Sequence, residues 1–586
     1  MRQWMVAAKK ADFYAIAEKF HVDPVVARII RNREVIGEKN IRIYLGGNLS
    51  DLSDPHQMKD MDRLVEILAQ KIRKQVHIRI IGDYDVDGVT SSHLFLTALR
   101  RVGAKVDVVI PHRIQDGYGL SLHLLQQAKE DGVDTILTCD NGIAAIDEIA
   151  WAKAQKMTVL VTDHHAVPFE EHEGRRTEKK SLADAVVNPH QQDCGYPYKE
   201  LCGAGVAWNV IRVLYENYDM DKREAEDLLD FVAMATVCDV MSLTGENRIL
   251  VKEGLKRIRH TKNIGLQALM QACNVQPENI SAYHFGYVLG PCVNATGRLD
   301  TARHALRLFE TGQETEAEEI ARDLVDLNQE RKELTLQGVE MAKKLCEEGG
   351  YGNDPILVLF LPDVHESIAG LIAGRIREMY NRPVFVLTRG EEGVKGSGRS
   401  TENYSMYENM CGCAELFTKF GGHPMAAGLS LPEENVEKFR RKINENCPLT
   451  VEEVCPDIHI DMAMPVGYAS TELVHQFALL EPFGKDNPSP LFADRNLSIS
   501  RMWVIGKNRN VLRMSVLSEY GQPVPVIFFG DVETLFAYFT EKFGQEEVEN
   551  ALHGRKNRIL FSMVYTAKVD FYQGNENLQL EMKYYR

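Results

Sequence analysis

The chain has no apolar run approaching the roughly 18–20 residues that a membrane span needs, which excludes an integral helical membrane protein. Its 11 cysteines include no Cys-x-x-Cys pair, and an odd count in a chain of 586 residues argues against a disulfide framework. The first residues carry charges but no stretch apolar enough for a signal peptide, so a reducing cytoplasm is the expected location. Internal repeats and low-complexity tracts are also missing. So is any excess of positive charge: 68 Lys and Arg against 84 Asp and Glu leave a net charge of −16, which argues against bulk, nonspecific coating of DNA. The deficit is uneven, because residues 487–586 hold 12 basic and 11 acidic side chains. An acidic body with a near-neutral C-terminal piece suits an enzyme that gathers carboxylates around metal ions, and equally a simple need for solubility. What is present, 44% apolar and 26% charged residues, is ordinary globular composition. The length predicts roughly four domains at about 150 residues each.

Residues 1–60 read as a mixed helical lead-in. From 61 to 312 the pattern is strand, turn, helix, repeated. Short apolar runs at Val76–Ile81, Lys105–Ile110, Asp134–Cys139 and Thr158–Thr162 are of the kind buried in a parallel sheet, with helical patterns at 89–102, 120–131 and 143–156 between them. That alternation predicts a doubly wound α/β domain, followed by a mainly helical stretch from about 200 to 310. Residues 313–348 are polar and Glu-rich, with Ile320, Leu324, Leu327, Leu334 and Val339 spaced for one amphipathic helix, and are expected to connect two domains. A second α/β unit follows at 349–454, with strands near 355–361 and 383–388. From 455 to 586, short β-type runs separated by Gly, Asn and Pro suit a small β-barrel, best guessed as an OB-fold.

Four segments place acids or histidines at or beyond the ends of these runs, where open parallel sheets bind ligands. They are Gly82-Asp-Tyr-Asp-Val-Asp-Gly88, Thr138-Cys-Asp-Asn-Gly142, Val161-Thr-Asp-His-His-Ala166 and Ala235-Thr-Val-Cys-Asp-Val240. Three aspartates at alternating positions crowd like charges unless a cation neutralises them. Alone, each piece has an ordinary reading: a strand-end Asp is more often a turn or helix cap, and a His-His pair is commonly surface. The Asp-x-Asp-x-Asp-Gly string resembles the start of a calcium loop, but it follows a β-run and its twelfth position, counted from Asp83, is Leu94 instead of Glu.

In this order the four segments resemble the motifs of the DHH phosphoesterase family. Leu289-Gly-Pro-Cys-Val-Asn-Ala-Thr-Gly-Arg-Leu299, Gly396-Ser-Gly-Arg-Ser400 and Gly421-Gly-His-Pro-Met-Ala-Ala-Gly428 resemble the branch of that family that digests single-stranded DNA from its 5′ end. The likeness runs from about residue 40 to the C-terminus. It implies a doubly wound DHH domain and a DHH-associated α/β domain joined by the long helix, with the barrel gripping nucleic acid. It implies two Mn²⁺ or Mg²⁺ ions, with Asp85 and Asp87 each favouring a different ion, Asp140 bridging them, and His164 and Asp239 completing the coordination of the second ion. Asp83 would be a direct or outer ligand, His165 would face the scissile phosphate, and Asp163 would orient its neighbours. Several family members carry a His two positions before the first Asp; here it is Ile81, which predicts a weaker first site or a water in the gap.

Selecting a 5′ end requires a phosphate pocket, and the same resemblance points to Arg113, Arg298, Ser397 and Arg399, with His423 in a Gly-rich turn binding the scissile or neighbouring phosphate, Asn294 helping to hold the strand, and Arg375 a further substrate contact. The plainer alternative is that Arg298 and Arg375 pair with acids across the domain interface. In the C-terminal piece, Arg501, Lys507, Arg509, Arg513, Arg555, Lys556 and Arg558 lie among aromatics such as Trp503, Phe528 and Tyr565, a combination suited to single strands, although most of these rings are expected in the barrel core. The implied function is release of 5′-mononucleotides from single-stranded DNA in recombination and repair. Its partners would be DNA, a helicase and a single-strand-binding protein, without a membrane, for a monomeric enzyme. Competing readings are a relative acting on short oligoribonucleotides or cyclic dinucleotides, a replication scaffold that has lost catalysis, and a family II pyrophosphatase, whose chains lack the barrel.

Overall fold

The computed structural model describes residues 3–113, 116, 119–172, 175–390, 393–506, 509–572 and 574–586; Lys507 of the basic cluster lies outside them. The described chain divides into two compact units, one of Asn48–Pro456 and one that joins Gln3–Gly47 to Asp457–Arg586.

The first unit opens with a five-stranded, wholly parallel sheet in the spatial order Val106–Val109, Ile78–Ile81, Thr135–Cys139, Thr158–Thr162, Ala185–Val187. Ile78–Ile81 and Thr135–Cys139 are buried along their whole length, which is why they read as continuous apolar runs without alternation. The last strand, Ala185–Val187, is only three residues long and gave no such signal. Strand order reverses between Ile78–Ile81 and Thr135–Cys139, a switch point that leaves a crevice beyond their carboxyl ends. Helices Val86–Arg101, Leu122–Glu130 and Ile146–Ala154 provide the crossovers, and helices from Gly203 to Glu310 pack on the sheet in one large apolar core.

Glu314–Glu348 is a single helix of 35 residues, about 50 Å long at 1.5 Å per residue. Its N-terminal half contributes Ala317, Ile320, Ala321 and Leu324 to that core. Its C-terminal half contributes Val339 and Ala342 to the core of the second sheet. This sheet is mixed, in the order Lys419–His423, Ala426–Leu431, Gly393–Arg399, Val384–Gly390, Leu357–Phe360, with only the last two strands parallel. The Gly-rich segments around 396–400 and 421–428 are therefore largely strand, the second with a tight turn at Pro424-Met425, a result hidden by their lack of bulky side chains.

The second unit is built on a barrel. Phe492–Ile505, Val511–Leu517, Pro523–Phe529, Asn575–Tyr585 and Leu560–Tyr572 pair in that order, and the last strand pairs back with the first. Phe528 and Tyr565 are buried in its core, as packing residues, whereas Trp503 stays 39% exposed with the Arg501 guanidinium 5.7 Å from its ring centre. Arg509 and Arg558 face Glu533 and Glu547, so part of the basic cluster is neutralised locally. The expectation of a separate lead-in at 1–60 is corrected here: Trp4–Val6 pairs with Ile458–Ile460, and Val26, Ile29, Ile30 and Tyr44 share the barrel's core. Arg33 makes two hydrogen bonds to the buried Asp461 carboxylate, and Tyr44 donates to Asn487. Asn48–Asp60 belong instead to the first unit.

Candidate metal centre and phosphate pocket

The aligned registers of the parallel sheet bring Gly82-Asp83, Asp140 and Asp163 to one edge, since Ile81 lies beside Thr138 and Cys139 beside Thr162. The buried Asn141 amide ties two of these ends together by donating to Ile81 O and Cys139 O. Asp85 caps the helix Val86–Arg101 by accepting from Gly88 N–H at 3.0 Å. Asp87, two residues on, accepts from Gly203 N–H at 2.6 Å and Ala204 N–H at 2.8 Å, the first amides of the helix Gly203–Asn217. A Cβ at Gly203 would stand 2.6 Å from Asp140 Cβ, so only glycine lets that helix end reach the cluster. Asp140 itself adopts φ of 62°, a left-handed conformation that aspartate tolerates better than most residues.

The result is two groups of donor atoms, Asp83–Asp85–Asp140 and Asp87–His164–Asp239, linked by a third, Asp140–His164–His165, with the atoms of each within 4.8 Å of one another. They meet where His164 Nε2 lies 3.1 Å from Asp140 Oδ1. The same nitrogen is 3.7 Å from Asp87 and 3.6 Å from Asp239, yet it makes no hydrogen bond among the described residues. Burial keeps the His164 imidazole pKa below its ordinary value. Burial, and then the charges of neighbouring carboxylates, pushes Asp83, Asp85 and Asp140 upward. Five acids and a neutral imidazole so arranged are oxygen- and nitrogen-rich donors lacking a positive charge, and they fit Mn²⁺ or Mg²⁺. No thiolate belongs to either group.

Asp163 belongs to neither group. Its carboxylate accepts from Ile143 N–H, His164 N–H, His165 N–H and His165 Nδ1. Although burial pushes its pKa up, the hydrogen bond from His165 and the charges of both histidines carry it below the usual carboxylate range. Burial opposes protonation of His165, but Asp163, Asp239 and Asp87 raise its pKa to about 9. The ring is 40% exposed at the mouth of the site and can donate to an anionic substrate.

Beside this cluster the guanidinium of Arg113 lies 4.8 Å from the Tyr84 ring centre. Both line a cavity of about 450 Å³ whose other wall includes Ser367, Lys395, Ser397 and Lys419. Arg298 donates to Ser367 O at 2.5 Å and Arg399 to Gly398 O at 2.8 Å. Burial, followed by repulsion from Arg113, Arg331 and Arg399, lowers the Arg298 pKa to about 10. Burial and the charges of Arg113 and Arg377 lower that of Arg399. Among the described residues Arg113, Arg298 and Arg399 form no ion pair, so the interface-pairing alternative does not describe Arg298. The cluster calls for an anion.

Three other expected substrate residues stand outside this cavity. Arg375 is outside the cavity, 68% exposed and 3.4 Å from Glu378 one turn along its own helix, because its position on Ala369–Tyr380 faces solvent. His423 is exposed and separated from Arg399 by the intervening strand at Ala426, about 10 Å at normal strand spacing. The Asn294 amide oxygen accepts from Val86 N–H, so this residue braces the loop carrying Asp85 and Asp87. Tyr84, Lys395, Lys419 and the amides of Gly203 and Ala204 were not anticipated. The Leu201-Cys-Gly-Ala-Gly205 run before a helix was the available signal for the last two.

Comparison with known proteins agrees with this geometry. The chain matches the model of the DHH family N-terminal domain over residues 77–236, that of the DHHA1 domain over 353–447 and that of the RecJ OB domain over 460–584. It is 32% identical over 585 residues to the single-stranded-DNA-specific exonuclease RecJ of Haemophilus influenzae, covering 96% of both chains. It is 33% identical over 512 residues to the RecJ of Bacillus subtilis, covering 87% of this chain and 63% of that one. The structure of Thermus thermophilus RecJ in complex with Mn²⁺ shares the fold at a TM-score of 0.78 and 24% identity, over 100% of this chain and 79% of that one. A manganese-bound exonuclease RecJ structure aligns at a TM-score of 0.56 and 32% identity, over 66% of this chain and 94% of that one.

Proposed function

Since the chain belongs to the RecJ family, we propose that it is a metal-dependent exonuclease that degrades single-stranded DNA from the 5′ end to 5′-mononucleotides, in recombination and repair. The observation that carries this reading is the pair of donor groups meeting at Asp140 and His164, directly beside arginines that have no acid partner among the described residues. Asp83, Asp85 and Asp140 would hold one ion, and Asp87, His164 and Asp239 the other, with Asp140 reaching both. Two bound Mn²⁺ or Mg²⁺ ions supply a nucleophilic water at neutral pH and offset charge on the phosphate. Asp163 fixes the His165 ring through Nδ1, leaving Nε2–H to donate to a phosphate oxygen. Arg113, Arg298, Ser397 and Arg399 receive the terminal 5′-phosphate, so that only the adjacent phosphodiester reaches the acids.

In this assignment residues 61–312 carry hydrolysis, 313–348 the connecting helix, 349–454 recognition of the end, and 455–586 with Gln3–Gly47 the grip on the strand. The enzyme works as a cytoplasmic monomer, alongside a helicase and a single-strand-binding protein. Among the described residues no helix is long and apolar enough to cross a membrane. The test is digestion of one DNA strand labelled at either end, beside its duplex, with Mn²⁺ or EDTA. Metal-dependent release of mononucleotides from the 5′ end of the single strand is expected. Hydrolysis of dinucleotides or cyclic dinucleotides alone would overturn the substrate assignment.

A further inference from the structure

Residues 281–297 contain no Lys, Arg, Asp or Glu, in a chain that is 26% charged. They form a short helical turn at Ala282–His284, a π-helical segment at Phe285–Leu289 and the helix Gly290–Leu299. π-Helical insertions are rare and concentrate at functional sites. One face of this segment packs on the end of the helix that leads to Asp239: a Cβ at Gly286 would lie 3.5 Å from Val237, one at Gly290 2.3 Å from Cys238 Sγ, and Cys238 Sγ donates to Phe285 O. Away from that contact, Tyr283 and Tyr287 are 62% and 70% exposed. Their rings stack with centres 5.1 Å apart and planes 25° apart. Val240, directly after Asp239, is 62% exposed and held at φ of 54°, a costly conformation for a β-branched side chain. An uncharged, apolar strip thus begins at the Asp87–His164–Asp239 group, while Arg113 and Tyr84 lie at the Asp83–Asp85–Asp140 group.

We infer that Tyr283 and Tyr287 form a stacking platform for bases of the DNA strand on the 3′ side of the scissile phosphate. This rests on the function proposed above. If the 5′ end occupies the arginine cluster and the first phosphodiester lies over the acids, the remaining strand leaves past Asp239. There a row of cations would be drawn to the carboxylates, whereas aromatic faces bind any base without entering that competition. The two tyrosines stand on the segment that packs against Val237 and Cys238, directly before Asp239, so they serve bases only a few nucleotides from the cut.

The test compares Tyr283→Ala/Tyr287→Ala and Tyr283→Phe/Tyr287→Phe with the wild-type full chain in Mn²⁺, on a 5′-phosphorylated trinucleotide and on a long single strand. The alanine pair should raise KM on the long strand about five- to hundredfold with kcat retained, and should leave the trinucleotide much less affected. The phenylalanine pair should match wild type, because the ring faces persist. Placing 2-aminopurine at successive positions, with EDTA present, should give fluorescence quenching at adjacent positions near the 5′ end in wild type but not in the alanine pair. Unchanged KM on the long strand, equal losses on both substrates, or quenching that survives in the alanine pair would each overturn the platform. A wild-type chain inactive on single-stranded DNA would instead refute the proposed function itself.

Discussion

The Asp140 carboxylate reaches atoms of both donor groups, and its backbone is held left-handed at the end of a buried strand with the Gly203 helix end packed against it. No neighbour can take over its position without moving that helix. Asp140→Ala is therefore expected to reduce turnover to background and to abolish tight Mn²⁺ binding in calorimetry; rates near wild type would show that the two groups do not act together. Arg399 has a different part. Its side chain is half-buried, repelled by Arg113 and Arg377, and bonded only to Gly398 O among the described residues. A charge-assisted hydrogen bond contributes about 1.5–3 kcal/mol, so Arg399→Ala should lower kcat/KM on 5′-phosphate ends by about ten- to hundredfold. A 5′-hydroxyl end should lose far less, and matched losses on the two ends would argue against the pocket. Most residues of the donor groups were legible in the sequence because metal chemistry demands their residue types at strand ends. Tyr84 and Lys395 were not, because their role arises from which wall of a cavity they line.

Secondary-structure elements set which of those residues meet. The strands ending at Ile81, Cys139 and Thr162 were readable as apolar runs because both faces are buried. Gly393–Arg399 and Ala426–Leu431 were not, since small residues satisfy backbone pairing without leaving a hydrophobic pattern. The N-terminal helices show the same asymmetry. Their segment read as a mixed helical lead-in, but nothing local announced that Arg33 would meet Asp461, more than four hundred residues away, at side-chain exposures of 9% and 7%. Removing one partner of a buried pair leaves an uncompensated charge, so Asp461→Ala should destabilise the barrel unit by about 3–5 kcal/mol. Denaturant unfolding followed by Trp503 and Trp4 fluorescence reads this directly; a midpoint equal to wild type would mean the pair is dispensable.

At the scale of the whole molecule, the chain leaves one unit and returns to it: Gln3–Gly47 and Asp457–Arg586 share a core, and Asn48–Pro456 form another. A fragment ending at Pro456 but retaining residues 3–47 would expose Val26, Ile29 and Ile30 without their partners. We expect it to be protease-sensitive at its N-terminus, whereas the fragment Asn48–Pro456 should fold, bind Mn²⁺ and cleave short substrates. Equal protease resistance of the two fragments would contradict the shared core. The sequence by itself determined the parallel sheet, the long helix, the barrel and the acids and histidines of the donor groups, because these follow from residue type, local periodicity and short spacing. Only the tertiary structure decided that Asp163 serves His165 and joins neither donor group, that Asn294 braces a loop, that Arg375 faces solvent, and that the N-terminus completes the barrel core. Each of those outcomes depends on contacts between segments far apart in the chain, for which a linear pattern carries no local physical signal.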